Sequence, residues 1–390
     1  MEAIIVSAAK RVLVTLESRA TYGYSKNVMN AIRNFPELEL STLVTGAHLV
    51  KRFGNSIDLI VADGFPVSAM VEMNGSSKSR ESWSNSLGKA ISGYAQAYQR
   101  LSPDIILLSG DRIETLGCCI AAAYMGIPIA HIQAGDKSGH IDDSARHAIG
   151  KFSHIHLASC LDSVNRLIKM GEQEFRIHNV GAPQLDDIDY VKLKSNKELR
   201  LGEVVINLEK PYLLVLQHPV LVEAGESAAQ MDITLNAAAM FNIPVVVIYP
   251  NSDFGNESVI AVIEKWQKKS NFIVVKNLER FEFLHLLANA KALVGNSSSG
   301  ILEAPSLKTP VINIGSRQRG RPQAQNIINC NYDINLIRKS IFQSMNDENF
   351  KKRCNSAINP YGDGKSSQRI CEILRDTKLD FTLLDKSCTY

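Results

Sequence analysis

The sequence predicts an α/β protein of two doubly wound, Rossmann-like domains with a central cleft. Three observations carry this. Apolar runs of about five residues alternate with helical-period segments along the whole chain, the pattern of βαβ units around a parallel sheet. A charged, less apolar stretch at 186–210, containing LKSNKELR, interrupts that pattern, which then restarts. At 390 residues the chain is too long for one ordinary core. The expected division is residues 1–190 for the first domain, joined again by a C-terminal helix at 365–390, and residues 191–364 for the second.

In chain order, residues 11–16 read as a strand, 17–23 as a loop and 24–33 as a helix. Residues 40–45 are the second strand. Residues 57–82 are irregular and polar, with Gly75, Ser76, Ser77 and Ser79 close together, and are expected to form a mobile surface loop. Residues 84–101 have the period of a long amphipathic helix. Residues 105–109 are a buried strand ending at Gly110 and Asp111. Helix 115–125 and strand 127–132 follow, then a loop at 134–143 with two glycines and three aspartates. Helix 144–152, strand 155–159, helix 163–170 and strand 177–180 complete the first half. The stretch 186–210 reads as a solvated helix plus linker. Strands at 212–216, 245–248, 272–275, 292–294 and 311–314 then alternate with helices at 228–241, 258–268, 281–290 and 301–307. A basic loop at 317–321 and helices near 334–345 and 368–374 end the series.

In such sheets ligands sit at the carboxyl ends of the strands. Arg19, Asp111, Gln133 and Asp136 fall there in the first half, and His218, Asn251 and Ser297–Ser299 in the second. One rule thus gathers dispersed polar residues onto the two walls of one cleft.

Composition excludes several classes. Hydrophobic residues make up 45% and charged residues 21%, with a net charge of +3. That is a soluble globular balance with no field aimed at nucleic acid or a membrane surface. No apolar run approaches the ~20 residues of a membrane span. The first ten residues lack the basic start of a signal peptide and read as an extension before the first strand. Seven scattered cysteines without CxxC spacing fit a reducing cytoplasm rather than a disulfide framework or zinc site. Neither an HxxxH metal spacing nor a GxGxxG or GxxxxGK[ST] phosphate loop occurs.

The segment GNSSSGILEAP at 295–305 joins an apolar strand to a helix through three serines and Gly300. Such a turn aims N–H groups and hydroxyls at one point, where an anion such as phosphate binds, and Glu303 one turn on can accept from sugar hydroxyls. An ordinary N-cap with a capping-box Glu gives the same pattern. Arg19 is either a phosphate fork or a solvated arginine. Asp111 is either a helix cap or an acid–base group. Asp136, Asp142, Asp143, Arg146 and His147 lie within twelve positions. Such groups shift one another's pKa, which acid–base chemistry uses, although a polar helix-capping loop looks alike. His218, between an apolar strand and Pro219, is structural or a ligand contact. Arg317, Arg319 and Arg321 form a solvated loop or a phosphate clamp.

Taken together these segments resemble the hydrolysing UDP-N-acetylglucosamine 2-epimerases of sialic and nonulosonic acid synthesis, including the epimerase half of the animal bifunctional epimerase/kinase. The matching stretches are SRATYG at 18–23, TGAHL at 45–49, SGDRIETL at 109–116 and HIQAGDKSGHIDDSARHAIGKFSHIHL at 131–157. They continue with QHPV at 217–220, YPNSDFG at 249–255, GNSSSGILEAPSLKTPVINIGSRQRGR at 295–321 and YGDG at 361–364. The resemblance implies a GT-B-like fold, no metal or redox cofactor, and a homodimer or homotetramer. It implies a UDP-linked 2-acetamido sugar as substrate, UDP-N-acetylglucosamine or a 4-amino-6-deoxy relative, which loses its C2 proton and UDP to give a glycal. Water then adds to release an N-acetylmannosamine-type sugar.

Carried over by motif, Arg19, His218, Ser297, Ser298, Ser299 and Gly300 hold the diphosphate, Glu303 the ribose, and Arg317 and Arg321 assist. Asp111 and Asp143 take acid–base roles with Gln133, Asp136, Arg146 and His147 around them. The chain departs from the family pattern in three places: Thr21 and Gln133 stand where an acid is usual, and Ala134-Gly135-Asp136 replaces Gly-Gly-Glu. An amide cannot take up a proton as a base, so either Gln133 is tolerated, the substrate differs or activity is reduced. A GT-B glycosyltransferase and a catalytically weakened nucleotide-sugar binding protein are the competing readings.

Overall fold

The computed structural model describes residues 9–50, 57–73, 80–138, 141–189, 197–201, 204–251, 255–276 and 278–389; the side chains of Arg19, Ala20, Arg80 and Ile141 lie outside this set. The chain divides into two compact units, Met1–Asp186 with Tyr361–Tyr390, and Asp187–Pro360.

Unit 1 opens with β1 (Lys10–Leu16), α1 (Arg19–Arg33), β2 (Leu38–Thr45), α2 (Ile57–Ala62), β3 (Ala69–Val71) and α3 (Arg80–Leu101). It continues through β4 (Ile105–Ser109), α4 (Ile113–Tyr124), β5 (Ile129–Ile132), α5 (Ile141–Phe152), β6 (Ile155–Ala158), α6 (Leu161–Lys169) and β7 (Ile177–Asn179). The sheet runs β3-β2-β1-β4-β5-β6-β7, and every neighbouring pair is parallel. Strands such as β4, IILLS, are buried along their length because helices cover both faces of the sheet. Val12 and Val14 pack on α1, and Leu13 on the α3–α4 side. The strand order reverses between β1 and β4, so Glu17 and Asp111 both follow strands at that switch point.

Unit 2 begins with an antiparallel hairpin, β8 (Glu198–Leu201) and β9 (Val204–Asn207). Then come β10 (Leu213–Leu216), α7 (Ser227–Ala239), β11 (Val245–Ile248), α8 (Asn256–Trp266), β12 (Phe272–Val275) and α9 (Arg280–Asn289). They lead to β13 (Ala292–Gly295), α10 (Ser299–Leu302), α11 (Ala304–Leu307), β14 (Val311–Ile314), β15 (Ile327–Cys330), α12 (Ile334–Asn346) and α13 (Glu348–Ser356). The parallel sheet runs β12-β11-β10-β13-β14-β15 and switches between β10 and β13.

The chain then returns to unit 1 as α14 (Ser366–Asp376) and α15 (Phe381–Leu384). The Asp186 carboxylate accepts from Ser366 N at 2.9 Å and Ser367 N at 2.6 Å, satisfying the first turn of α14. Arg176 donates to the carbonyls of Leu383 and Asp385, and Lys386 to those of Gly150, Lys151 and Ser153. Ile370, Cys371 and Leu374 complete the core over α1.

The structure corrects several expectations. α1 starts at Arg19, inside the expected 17–23 loop, because Ser18 caps it by accepting from Thr21 N. Within 57–82 the chain forms α2 and β3, with Ala69 and Val71 turned inward at the sheet edge; the glycine–serine run at 74–79 lies outside the described residues. Residues 198–207 are strands, not a helix: Leu199 and Ile206 are buried, and Glu198, Arg200 and Val205 face water. β15 and α13 extend the expected series.

Glu17, just past β1, is an acid in the interior of unit 1. It is 1% exposed, its Oε1 accepts from the Thr21 hydroxyl, and its Oε2 has no hydrogen-bond partner. Burial pushes its pKa up to about 8 from 4.5; the Thr21 bond opposes this, Glu114 adds to it and Arg112 offsets it. A folded-state pKa above the unfolded value means stability fully present below pH 4.5 and lost as pH rises through about 8. Wild type should therefore lose roughly 1.4 kcal/mol per pH unit inside that window relative to Glu17→Gln. Denaturant titrations of both proteins at pH 5 and pH 8.5 check this; parallel losses would show that Glu17 folds already ionised.

Candidate functional site

In unit 1 the polar residues converge at the carboxyl ends of β4 and β5. Gly110 turns the chain with φ +77°, and Asp111 follows it. The Asp111 carboxylate accepts from Arg146 Nη2 and from Ser138 Oγ at 2.5 Å. Arg146, 7% exposed on α5, also donates through Nε to Ser138 Oγ at 3.0 Å and through Nη1 to the Gln133 carbonyl at 2.9 Å. One guanidinium thus ties together β4, β5 and the loop before α5. Burial alone would raise the Asp111 pKa, but Arg146 beside it and the Ser138 bond hold it below the usual carboxylate range. Asp111 is therefore ionised at neutral pH, as a base or a stabiliser of positive charge must be.

Asp143 Oδ1 accepts from Ser138 N at 2.8 Å, and its Oδ2 lies 3.7 Å from His147 Nε2. Burial lowers the His147 pKa, against Asp143, which raises it. Gln133 has φ +60°, a left-handed backbone rarely taken outside glycine. Strain of this kind is held in place by surrounding structure and clusters at functional sites. The Arg146 bond to the Gln133 carbonyl supplies part of that hold.

Asp136 is placed differently from its neighbours in sequence. Its Oδ1 accepts from Ser159 Oγ at 2.5 Å and Ser163 Oγ at 2.7 Å, fastening the loop to the start of α6. Among the described residues no hydrogen bond ties it to the Asp111–Ser138–Asp143 set, and its Oδ2 is buried without a partner. Thr21, where the family usually has an acid, donates to Glu17, so a carboxyl group still occupies this corner from four positions earlier. The side chain of Arg19 lies outside the described residues, as do residues 139–140.

In unit 2 the site is built around Asn296, which is fully buried just past β13. Its Oδ1 accepts from His218 N at 2.7 Å and its Nδ2 donates to His218 O at 2.9 Å, locking the ends of β10 and β13 together at the switch point. Its carbonyl accepts from Arg317 Nη1 at 3.1 Å and Gln318 Nε2 at 2.9 Å; Arg321 donates to Gln318 Oε1 at 3.0 Å. The basic loop is thereby drawn onto the serine turn. His218 Nδ1 accepts from Asn251 N at 3.1 Å, which leaves the proton on Nε2. Burial, with Arg317 nearby, pushes the His218 pKa down to about 3, so the ring is a neutral N–H donor. Residues 252–254 lie outside the described set.

Ser297 Oγ accepts from Ser299 N at 3.3 Å and Ser299 Oγ at 2.8 Å. Ser298, half-buried, is the more exposed of the three serines, and Gly300 N closes the turn on Ser297 O at 3.1 Å. The expected 301–307 helix is two four-residue pieces, α10 and α11, meeting at Glu303. A helix that short contributes little dipole, so the polar groups at this turn are its N–H groups, its hydroxyls and Arg317. Glu303 accepts from Arg280 Nη1 at 2.7 Å.

Sequence reasoning passed over Asn296, Arg280, Ser138, Glu17 and His131. Asn296 lies inside GNSSSG, and its place just after a strand was a usable signal. His131 is buried and donates through Nε2 to Gly110 O at 2.7 Å, fixing the turn that presents Asp111. Arg280 carries no local signal, because its partners are distant in sequence. Among the described residues no group of three or more His, Cys, Asp or Glu side chains is placed to hold a metal ion. No helix there is long and apolar enough to cross a membrane.

Two doubly wound parallel-sheet units, each with polar side chains at its strand ends, make a GT-B-like fold. Residues 30–375 match the family described as UDP-N-acetylglucosamine 2-epimerase, and the chain belongs to that family. It is 33% identical over 381 residues to the UDP-N,N'-diacetylbacillosamine 2-epimerase (hydrolyzing) of Legionella pneumophila, covering 98% of this chain and 100% of that one. It is 32% identical over 370 residues to the UDP-N-acetylglucosamine 2-epimerase of Neisseria meningitidis serogroup B, covering 94% and 95%. The S. aureus MnaA–UDP co-structure superposes with a TM-score of 0.77 over 94% of this chain and 96% of that one, at 18% identity.

Proposed function

We propose that this enzyme is a hydrolysing 2-epimerase acting on a UDP-linked 2-acetamido sugar, UDP-N-acetylglucosamine or its 4-acetamido-6-deoxy relative. A base takes the C2 proton as the C1–O bond to UDP breaks, and a C1–C2 double bond forms. Water then adds its hydroxyl to C1, and a proton returns to C2 from the opposite face. The products are UDP and the free sugar inverted at C2, of the N-acetylmannosamine type used for sialic and nonulosonic acids.

The observation that carries this reading is the ionised Asp111 pinned by Arg146 and Ser138 at a strand's carboxyl end. A C–H beside an anomeric carbon is a poor acid, so a fixed base must be paired with stabilisation of the leaving diphosphate; one well-placed donor contributes about 3–4 kcal/mol. His218 Nε2–H, the serine turn and Arg317 are suited to that second task. Arg19 and Arg321 assist at the phosphates, Glu303 takes the ribose, and Asp143 with His147 handles the returning proton. The names of the Legionella and Neisseria relatives support the substrate class, and the UDP of the S. aureus structure supports the nucleotide. Seven unpaired cysteines support a cytoplasmic setting.

Incubation with each UDP-sugar in D₂O tests the proposal. The expected products are UDP and a free C2-inverted sugar carrying deuterium at C2. UDP release only with an added acceptor would favour a glycosyltransferase, and binding without turnover a nucleotide-sugar binding protein. Product that keeps its original C2 hydrogen would overturn the elimination.

A further inference from the structure

We propose that Arg280 is a positioning residue for sugar recognition: with Asp187 it fixes the Glu303 carboxylate so that one oxygen is kept for the ribose hydroxyls of the nucleotide. This rests on the reading of Glu303 as the ribose contact.

Glu303 sits where α10 ends and α11 begins and is 5% exposed. Its Oε1 is taken by Arg280 Nη1 at 2.7 Å, while its Oε2 is buried with no hydrogen-bond partner. Arg280 opens α9, and its Nε and Nη2 donate to the two oxygens of Asp187 at 3.0 and 3.2 Å. Only a planar guanidinium can address two carboxylates from two edges at once; a lysine ammonium is a point charge. The row Asp187–Arg280–Glu303 therefore holds two carboxylates against one cation. A buried carboxylate oxygen with no donor is unfavourable. The chemistry that relieves it is a neutral ligand with hydroxyl donors, as a ribose has and a 2′-deoxyribose partly lacks. Because Arg280 sets which oxygen is spent, it sets which is left and where it lies.

The test is calorimetric binding of UDP and 2′-deoxy-UDP to the full chain. Wild type should prefer UDP by about 10- to 100-fold, the range expected for a hydroxyl bonded to a charged group. Arg280→Met should bring the two affinities within about threefold of each other, mainly by weakening UDP. Asp187→Asn, which keeps Arg280 but frees its other edge, should lower the preference by at least about fivefold and serves if Arg280→Met does not fold. A disturbance of packing alone would weaken both nucleotides alike and leave the ratio intact. Glu303→Gln separates the two claims. If it keeps the wild-type preference, the ribose reading of Glu303 fails. If it abolishes the preference while Arg280→Met and Asp187→Asn retain it, the role of Arg280 is overturned and that of Glu303 stands.

Discussion

Asp111→Asn should lower kcat by about 10²- to 10⁴-fold, the usual contribution of a positioned base, while UDP affinity stays within about twofold of wild type. Asparagine keeps the shape and can still accept from Ser138, but its amide cannot take a proton. Arg146 would lose a charged partner, yet it retains Ser138 Oγ and the Gln133 carbonyl, so the loop should hold. A lost hydrogen bond to a charged group is worth about 1.5–3 kcal/mol, a visible drop in stability that leaves most chains folded. Asp136→Asn is the control. Its Oδ1 is spent on Ser159 and Ser163 and its Oδ2 is buried without a partner, so the substitution should lower stability and leave turnover per folded molecule near wild type. Single-turnover release of UDP, with calorimetric UDP binding, reads both variants. Undiminished turnover in Asp111→Asn would remove it from the chemistry, and a matched loss in Asp136→Asn would show that loop order alone is being measured.

The sequence displays the strands that bury both faces, because such strands must be apolar throughout. β4, β10, β11 and β13 stand out for that reason, and the strand-end rule then reaches Asp111, Gln133, His218 and the serine turn. Elements with one wet face are harder to see. β8 and β9 alternate Leu199 and Ile206 inward with Glu198 and Arg200 outward, and their charges mask a period of two. Roles set by a distant partner are not legible at all. Asp136 stands among the catalytic candidates in sequence, and nothing there foretells that its Oδ1 accepts from Ser159 and Ser163. Arg280 looks like any solvated helix-start arginine until Asp187 and Glu303 are brought to it. Thr21 breaks the family pattern in sequence, while its structural partner Glu17 restores a carboxyl group to the same corner.

Gly295→Ala should be the most damaging single-atom-scale change in unit 2. Gly295 ends β13 at φ +140°, a conformation L side chains rarely adopt. It pairs in register with Leu216 of β10. A Cβ there would lie 2.2 Å from the Leu216 carbonyl oxygen and 2.7 Å from its carbon. Both are backbone atoms of a central strand, so no rotamer change relieves the contact. Strained backbone costs about 1–3 kcal/mol and overpacking about 1–3 kcal/mol, so the sum is roughly 2–6 kcal/mol. Relief requires the ends of β10 and β13 to part, which breaks the His218–Asn296 pair immediately beyond them. UDP affinity should therefore fall even in the fraction that stays folded. Gly300→Ala is the comparison. Its Cβ would lie 2.8 Å from a Val311 methyl, with no positive φ to overcome, so a side-chain shift can absorb most of the contact and the loss should be smaller. Thermal melts and UDP calorimetry of the two variants decide it: a Gly295→Ala midpoint within about 2 °C of wild type would mean that β10 yields easily at Leu216, and that the close approach of the two strand ends is not what holds His218 and Asn296 together.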